Sequence, residues 1–233
     1  MSEPGSVWTR PRPATRRRSP GVEQFVAAAI AVADAEGLPA VSMRRVAGDL
    51  GSGTASLYRY VASRDELLEL MVDAVQGEDP PPAPTGDWRA DLGAVAHTLR
   101  AGLLRHPWLS GQLVGRPSLG PNSLRRAEAA LTAVAQLTDD ITLASRAVGV
   151  VQAYVLGSVA GQLAVVAAQQ RTGLTDEQWQ RTMGPYVSGI IEAGEHPMLA
   201  RRVLDAEEAD PDTEFAFGLD CVLDGVAAAR SAG

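Results

Sequence analysis

The chain has 233 residues, a net charge of −7, 45% hydrophobic residues and a single cysteine, Cys221. That length supports one large core or two unequal ones, the Ala-, Val- and Leu-rich composition favours helices, and one Cys excludes an internal disulfide or a Cys-based zinc site and suits a reducing, cytoplasmic setting. The acidity excludes a protein that coats nucleic acid indiscriminately, but it is unevenly spread: residues 1–64 carry nine Arg against five acids, and the remainder 12 Arg against 23.

A basic end on an acidic body attracts phosphate locally and orients the approach. Residues 1–18, with three Pro, five Arg and no periodic apolar pattern, read as a flexible arm. Its Arg16, Arg17 and Arg18 are either a solvated cluster or a contact to the minor groove or phosphates. They precede an apolar run as in an export signal, but Glu23, Asp34 and Glu36 break or flank that run. Val22, Phe25, Val26, Ala29, Ile30 and Ala33 recur at the spacing of a folded amphipathic helix, and export is rejected. This first helix opens at Ser19-Pro20 and stops at Gly37.

Ser42 caps a second, short helix with Met43, Val46, Ala47 and Leu50 on its buried face, closed by Gly51-Ser52-Gly53. A third covers Thr54 to Val61. Ser63-Arg64-Asp65-Glu66 is a capping box for a fourth, built on Leu67, Leu68, Met71, Ala74 and Val75. Gly77 to Gly86, with four Pro, cannot continue a helix and is the linker. The expected organisation is therefore an arm (1–18), a small helical head with its connecting helix (19–76), a linker (77–86) and a larger body (87–233). In the body, helices are expected near 87–105, 107–115, 121–137, 141–171, 175–193 and 212–230. No segment sustains strand alternation, so the fold class is all-α.

Ala47, Gly51 and Leu57 carry the most specific pattern. A helix-turn-helix needs a small residue at the helix crossing, a Gly able to adopt positive φ in the turn, and an apolar anchor in the second helix. The second helix would expose Thr54, Ser56, Tyr58, Arg59 and Tyr60, hydroxyls and a guanidinium suited to base edges and phosphates in the major groove. The other reading is a three-helix packing unit within a helical interaction protein that does not bind DNA.

The run VSMRRVAGDLGSGTASLYRYVASRDELLELMVDAV resembles the DNA-binding domain of TetR/AcrR-type repressors, with the match spanning about residues 22–75. The body resembles the tetracycline-repressor type of C-terminal domain through GRPSLGPNSLRRAEAAL and the apolar helix after it. The resemblance implies a cytoplasmic, DNA-binding regulator: a homodimer on a palindromic, double-stranded operator, released by a small hydrophobic or amphipathic effector. It places Met43 and Arg44 near bases and phosphate, Thr54, Ser56, Arg59 and Tyr60 on the major groove, and Tyr58 and Arg64 against backbone phosphates.

Residues 147–168 are uncharged and long enough to span a bilayer, but Gln152 and Gln162 and the Ala and Gly content favour a buried central helix, with no membrane partner. Gly149, Ala153, Gly157 and Gly161, four apart, form a smooth groove for a close helix neighbour. The resemblance makes that neighbour a second subunit, meeting this helix and the last one in a four-helix interface. An enclosed pocket would account for the body's bulk, with Trp108, Gln112, Arg116, Gln152, Tyr154 and Trp179 as candidate lining. Aligned on the resemblance, Gln112 stands where tetracycline repressor has its metal-binding His, which argues against a magnesium-tetracycline effector. Scattered His97, His106 and His196 and the lack of a nucleophile motif or phosphate loop leave no catalytic residue, metal site or cofactor to expect.

Overall fold

A computed structural model describes residues 7–9, 20–115, 118–207 and 209–231, and among them every regular element is helical. The head contains α1 (Val22–Glu36), α2 (Met43–Asp49) and α3 (Thr54–Tyr58), followed by α4 (Arg64–Gln76). α1 buries Val22, Phe25, Val26, Ala29, Val32 and Ala33. Its start is Gly21, whose N–H donates to Gln24 Oε1 at 2.9 Å, and Gly37 ends it at φ 80°. The Ser19 start lies outside the described residues.

Ser42 caps α2, its hydroxyl accepting the Arg45 N–H at 3.2 Å. At α4, Ser63 Oγ accepts the Glu66 N–H, whereas Glu66 Oε2 reaches back to the Ala62 N–H, one residue before the expected Ser63. The third helix is shorter than expected: Arg59 and Tyr60 form a turn, which lets Tyr60 swing under the helix. Within the expected arm, Val7 is buried and Trp8 packs on the same core. A Val-Trp pair gains more by joining an apolar surface than by staying in water. Arg16, Arg17 and Arg18 lie outside the described residues.

The body comprises α5 (Trp88–Arg105), α6 (Pro121–Ala135), α7 (Ile141–Thr172), α8 (Asp176–Glu192), α9 (Pro197–Asp205) and α10 (Pro211–Ser231). Asp87 caps α5 through the Arg89 and Ala90 N–H groups. Between α5 and α6 the chain forms a 3-10 turn at Pro107–Gln112, where an α-helix to 115 was expected. α9 was not anticipated; it is nine residues long with Pro in its first turn, too short for periodicity to reveal.

α7 is apolar and long enough to cross a membrane by composition, yet one side packs into the bundle. Ala144, Ala147, Val151, Val155 and Val159 form its buried stripe against α5, α6 and α10. Positions two residues away lie about 200° round the helix. That places Gly149, Ala153, Gly157 and Gly161 on the opposite, exposed face, so α7 is half covered within one chain and not buried all round.

Candidate DNA interface and ligand cavity

At the centre of the head, Ala47 is 1% exposed where α2 crosses α3, Gly51 takes φ 60° in the turn, and Leu57 is fully buried. The Ser52 N–H closes the turn on Ala47 O at 2.9 Å. This fixes what α3 presents outward: Thr54 and Ser56 half-buried, Tyr58 and Arg59 exposed. On α2, the neighbouring arginines separate by role. Arg45 is held by Glu36 at 2.7 Å and Asp49 at 2.9 Å, which raise its pKa further. Arg44 is exposed and has no ion pair among the described residues.

Three of the expected DNA contacts are turned elsewhere. Met43 is buried on the core face of α2, as its place one turn before Val46 and Ala47 requires. Tyr60 is 8% exposed, tilted against Phe25 with ring centroids 6.2 Å apart, and Arg59 lies over its outer face. Arg64 points back on the head: its Nε donates to Val41 O at 2.8 Å and its Nη2 to Leu38 O at 2.6 Å. Its donors therefore fasten the start of α4 to the loop that sets α2, and a phosphate would compete with those carbonyls.

In the body, a cavity of about 200 Å³ opens between α5, α6 and α7. Leu92, Val95, Ala96, Leu99, Val148 and Val151 make its apolar wall, and Gln112 and Gln152 also line it. Trp108 does not; it is buried with its indole N–H on Asp34 Oδ1 at 2.7 Å. Tyr154 is spent on α10, its hydroxyl donating to Phe215 O at 2.8 Å. Trp179 is half exposed on α8, away from the lining, and Arg116 lies outside the described residues.

Sequence reasoning missed Gln76, Ser118, Ser123 and Arg126, which also line the cavity. Gln76 is the last residue of α4, so the helix that begins at the head ends in the cavity wall. Arg126 Nε donates to Gln76 O and Nη2 to Asp79 O at 3.1 Å, and burial lowers its pKa. No local sequence pattern separates Ser123 and Arg126 from the rest of α6.

Two further ties join head and body. Asp73 on α4, 4% exposed, caps α6: its Oδ1 accepts the Asn122 and Ser123 N–H groups at 2.9 Å each, and its Oδ2 accepts Asn122 Nδ2 at 3.1 Å. Glycine is needed at 120 for space, since a Cβ there would collide with that carboxylate. At the other side, buried His106 bridges Asp34 of α1 at 2.8 Å and Glu78 of the linker at 3.0 Å. Arg105 holds Glu78 and Asp79 as well.

Residues 25–71 match the domain family described as bacterial regulatory proteins, tetR family, and residues 80–230 match the tetracyclin repressor-like C-terminal domain. An HTH-type transcriptional repressor, DrrR1 of Streptomyces coeruleorubidus, is 41% identical over 226 residues, covering 94% of this chain and 83% of its own. An HTH-type transcriptional regulator of Saccharopolyspora erythraea is 39% identical over 165 residues, 68% of each chain. Among solved structures, the TetR family protein ActR of Streptomyces coelicolor in complex with actinorhodin aligns with TM-score 0.73 at 28% identity, over 91% of this chain and 99% of its own.

Proposed function

This chain belongs to the TetR family and is a DNA-binding transcriptional regulator with a C-terminal ligand-binding domain; on that premise we propose that it is a homodimeric, cytoplasmic repressor that leaves a palindromic operator when a small amphipathic molecule fills the cavity of the body. The observation that carries this reading is the position of Gln76. A ligand pressing on that wall presses on the end of α4, and α4 carries the head.

DNA contact is assigned to Arg44, Thr54, Ser56, Tyr58 and Arg59. An Arg that reads a base edge contributes about 1–3 kcal/mol of discrimination, while phosphate contacts strengthen all sequences alike. Two heads reading successive major grooves stand about 34 Å apart, so a change in that distance on ligand binding lowers operator affinity. The ligand must favour the released arrangement by its own differential affinity.

The exposed faces of α7 and α10 supply the dimer surface. Gly149, Gly157 and Gly161 have nothing within 4 Å of where a Cβ would stand, Ala153 is exposed, and Phe217 on α10 is 69% exposed. Exposed Trp179, Tyr186, Met198 and Leu204 on α8 and α9 extend the apolar surface a partner subunit would cover. The relative bound to actinorhodin supports a small-molecule effector for this chain too. A gel shift with DNA from upstream of its own coding region, at physiological salt, tests the reading. A sequence-specific shift is expected; binding no tighter than to unrelated DNA contradicts it and favours a helical interaction protein.

A further inference from the structure

The polar end of the cavity is unusual in what it lacks. Its described lining contains one charge, Arg126, and no carboxylate. The hydroxyls of Ser118 and Ser123 are buried there with no hydrogen-bond partner among the described residues. Buried polar groups are ordinarily satisfied, and an unmet one costs about 1–3 kcal/mol, so two beside a cavity mark a place where a ligand supplies the missing partner.

Arg126 is short of a counter-ion as well. Its two hydrogen bonds among the described residues go to the Gln76 and Asp79 carbonyls, and it has no carboxylate within ion-pair distance. The nearest acids are engaged: Glu78 with Arg105 and His106, Asp79 with Arg105. Burial is the largest force against the Arg126 charge; Asp79 and Glu78 offset part of it, and Arg105 adds repulsion. A cationic ligand meets like charge here, and a neutral apolar one leaves the guanidinium and both hydroxyls unmet.

We propose that the cavity selects an apolar acid, whose anionic group pairs with Arg126 and accepts from the Ser118 and Ser123 hydroxyls while its apolar body lies against Leu92, Leu99 and Val151. This deepens the effector reading above and rests on it for its regulatory meaning. The guanidinium that receives the anion is the one holding Gln76 O, the final carbonyl of α4. Pairing with the ligand draws those donors toward the cavity and loosens the end of α4, so recognition of the acid and release of the head become one event.

The test uses the full-length protein without DNA and two ring-matched dyes, anionic 8-anilino-1-naphthalenesulfonate and neutral N-phenyl-1-naphthylamine. The sulfonate is expected to bind about ten-fold tighter or more, as one charge-assisted pair predicts. In Arg126→Met the two affinities converge to within about two-fold, and in the Ser118→Ala/Ser123→Ala variant the sulfonate alone weakens roughly three-fold. Val148→Trp, which fills the cavity, removes both dyes. Equal affinities in the native protein, no binding of either dye, binding that survives Val148→Trp, or a sulfonate preference that survives Arg126→Met overturns the proposal. Should Arg126→Met fail to fold, the serine variant decides, and unchanged sulfonate affinity there overturns it. Failure of the operator gel shift would sink the regulator reading and leave the dye result standing.

Discussion

Replacing Asp73 with Ala asks whether α4 and α6 move as one piece. The carboxylate accepts three hydrogen bonds from Asn122 and Ser123 at 2.9–3.1 Å, in a nearly dry site. A lost N-cap costs about 0.5–2 kcal/mol, and a hydrogen bond to a charged group contributes about 1.5–3 kcal/mol. The three bonds share one anchor and do not add, so a loss of about 3 kcal/mol is expected. At fixed protein concentration that lowers the melting temperature by roughly 6–12 °C for a chain of this size. Asp73→Asn keeps one acceptor but sets its amide against Asn122 Nδ2, and falls between. Melting is followed by circular dichroism, and operator affinity is measured with and without a ligand that fills the cavity. The variant still binds operator below its melting point but responds less to the ligand. A drop in melting temperature below about 2 °C, or an undiminished ligand response, would refute the latch.

Arg44→Ala should weaken operator binding by roughly ten-fold or more and relax preference at one base pair, whereas Arg45→Ala leaves sequence preference intact because its guanidinium is committed to Glu36 and Asp49. Operator mutants read by anisotropy separate the two. At the junction, burial opposes the charge on His106, but its hydrogen bonds to Asp34 and Glu78 outweigh burial and raise its pKa above 6.5. The stabilisation is then complete below the unfolded value and fades as pH rises through the higher folded one. The melting-temperature gap between native protein and His106→Gln should narrow on going from about pH 6 to pH 9; a constant gap contradicts the ion bridge. At the α7–α10 contact, a Cβ on Gly218 would collide with the Tyr154 hydroxyl. Gly218→Ala should lower the melting temperature and weaken self-association in sedimentation runs, and adding Tyr154→Phe, which keeps the ring carbons that meet the new Cβ, should restore neither.

The head was legible because local chemistry decides it. Ser42, Gly51 and Ser63 act within one turn of the chain, and Leu57 and Ala47 bury by simple periodicity. Tyr60 and Arg64 were misplaced because orientation about a short helix depends on tertiary packing, and α3 ending at Tyr58, three residues earlier than expected, sends Tyr60 inward. Met43 was on the buried face by periodicity, and only the resemblance set it at the DNA. The cavity was legible only in part. Gln112 and Gln152 stood out as polar residues in apolar runs, but Trp108 was claimed by Asp34, 74 positions earlier in the chain, a pairing that no local pattern carries. Arg126 and Ser123 carry no local pattern that separates them from the rest of α6. What turns them inward is the Asp73 cap and the end of α4, which meet them only once the chain is folded.

Hydroxyl-radical footprinting of the full-length protein on DNA fragments it selects at physiological salt puts the central claim to its most direct test. Two protected half-sites related by two-fold symmetry, centred about one helical turn or a whole number of turns apart, are expected, with the pattern lost in Arg44→Ala. Uniform protection, or a single unpaired site untouched by that substitution, would contradict a dimeric regulator reading DNA through α2 and α3.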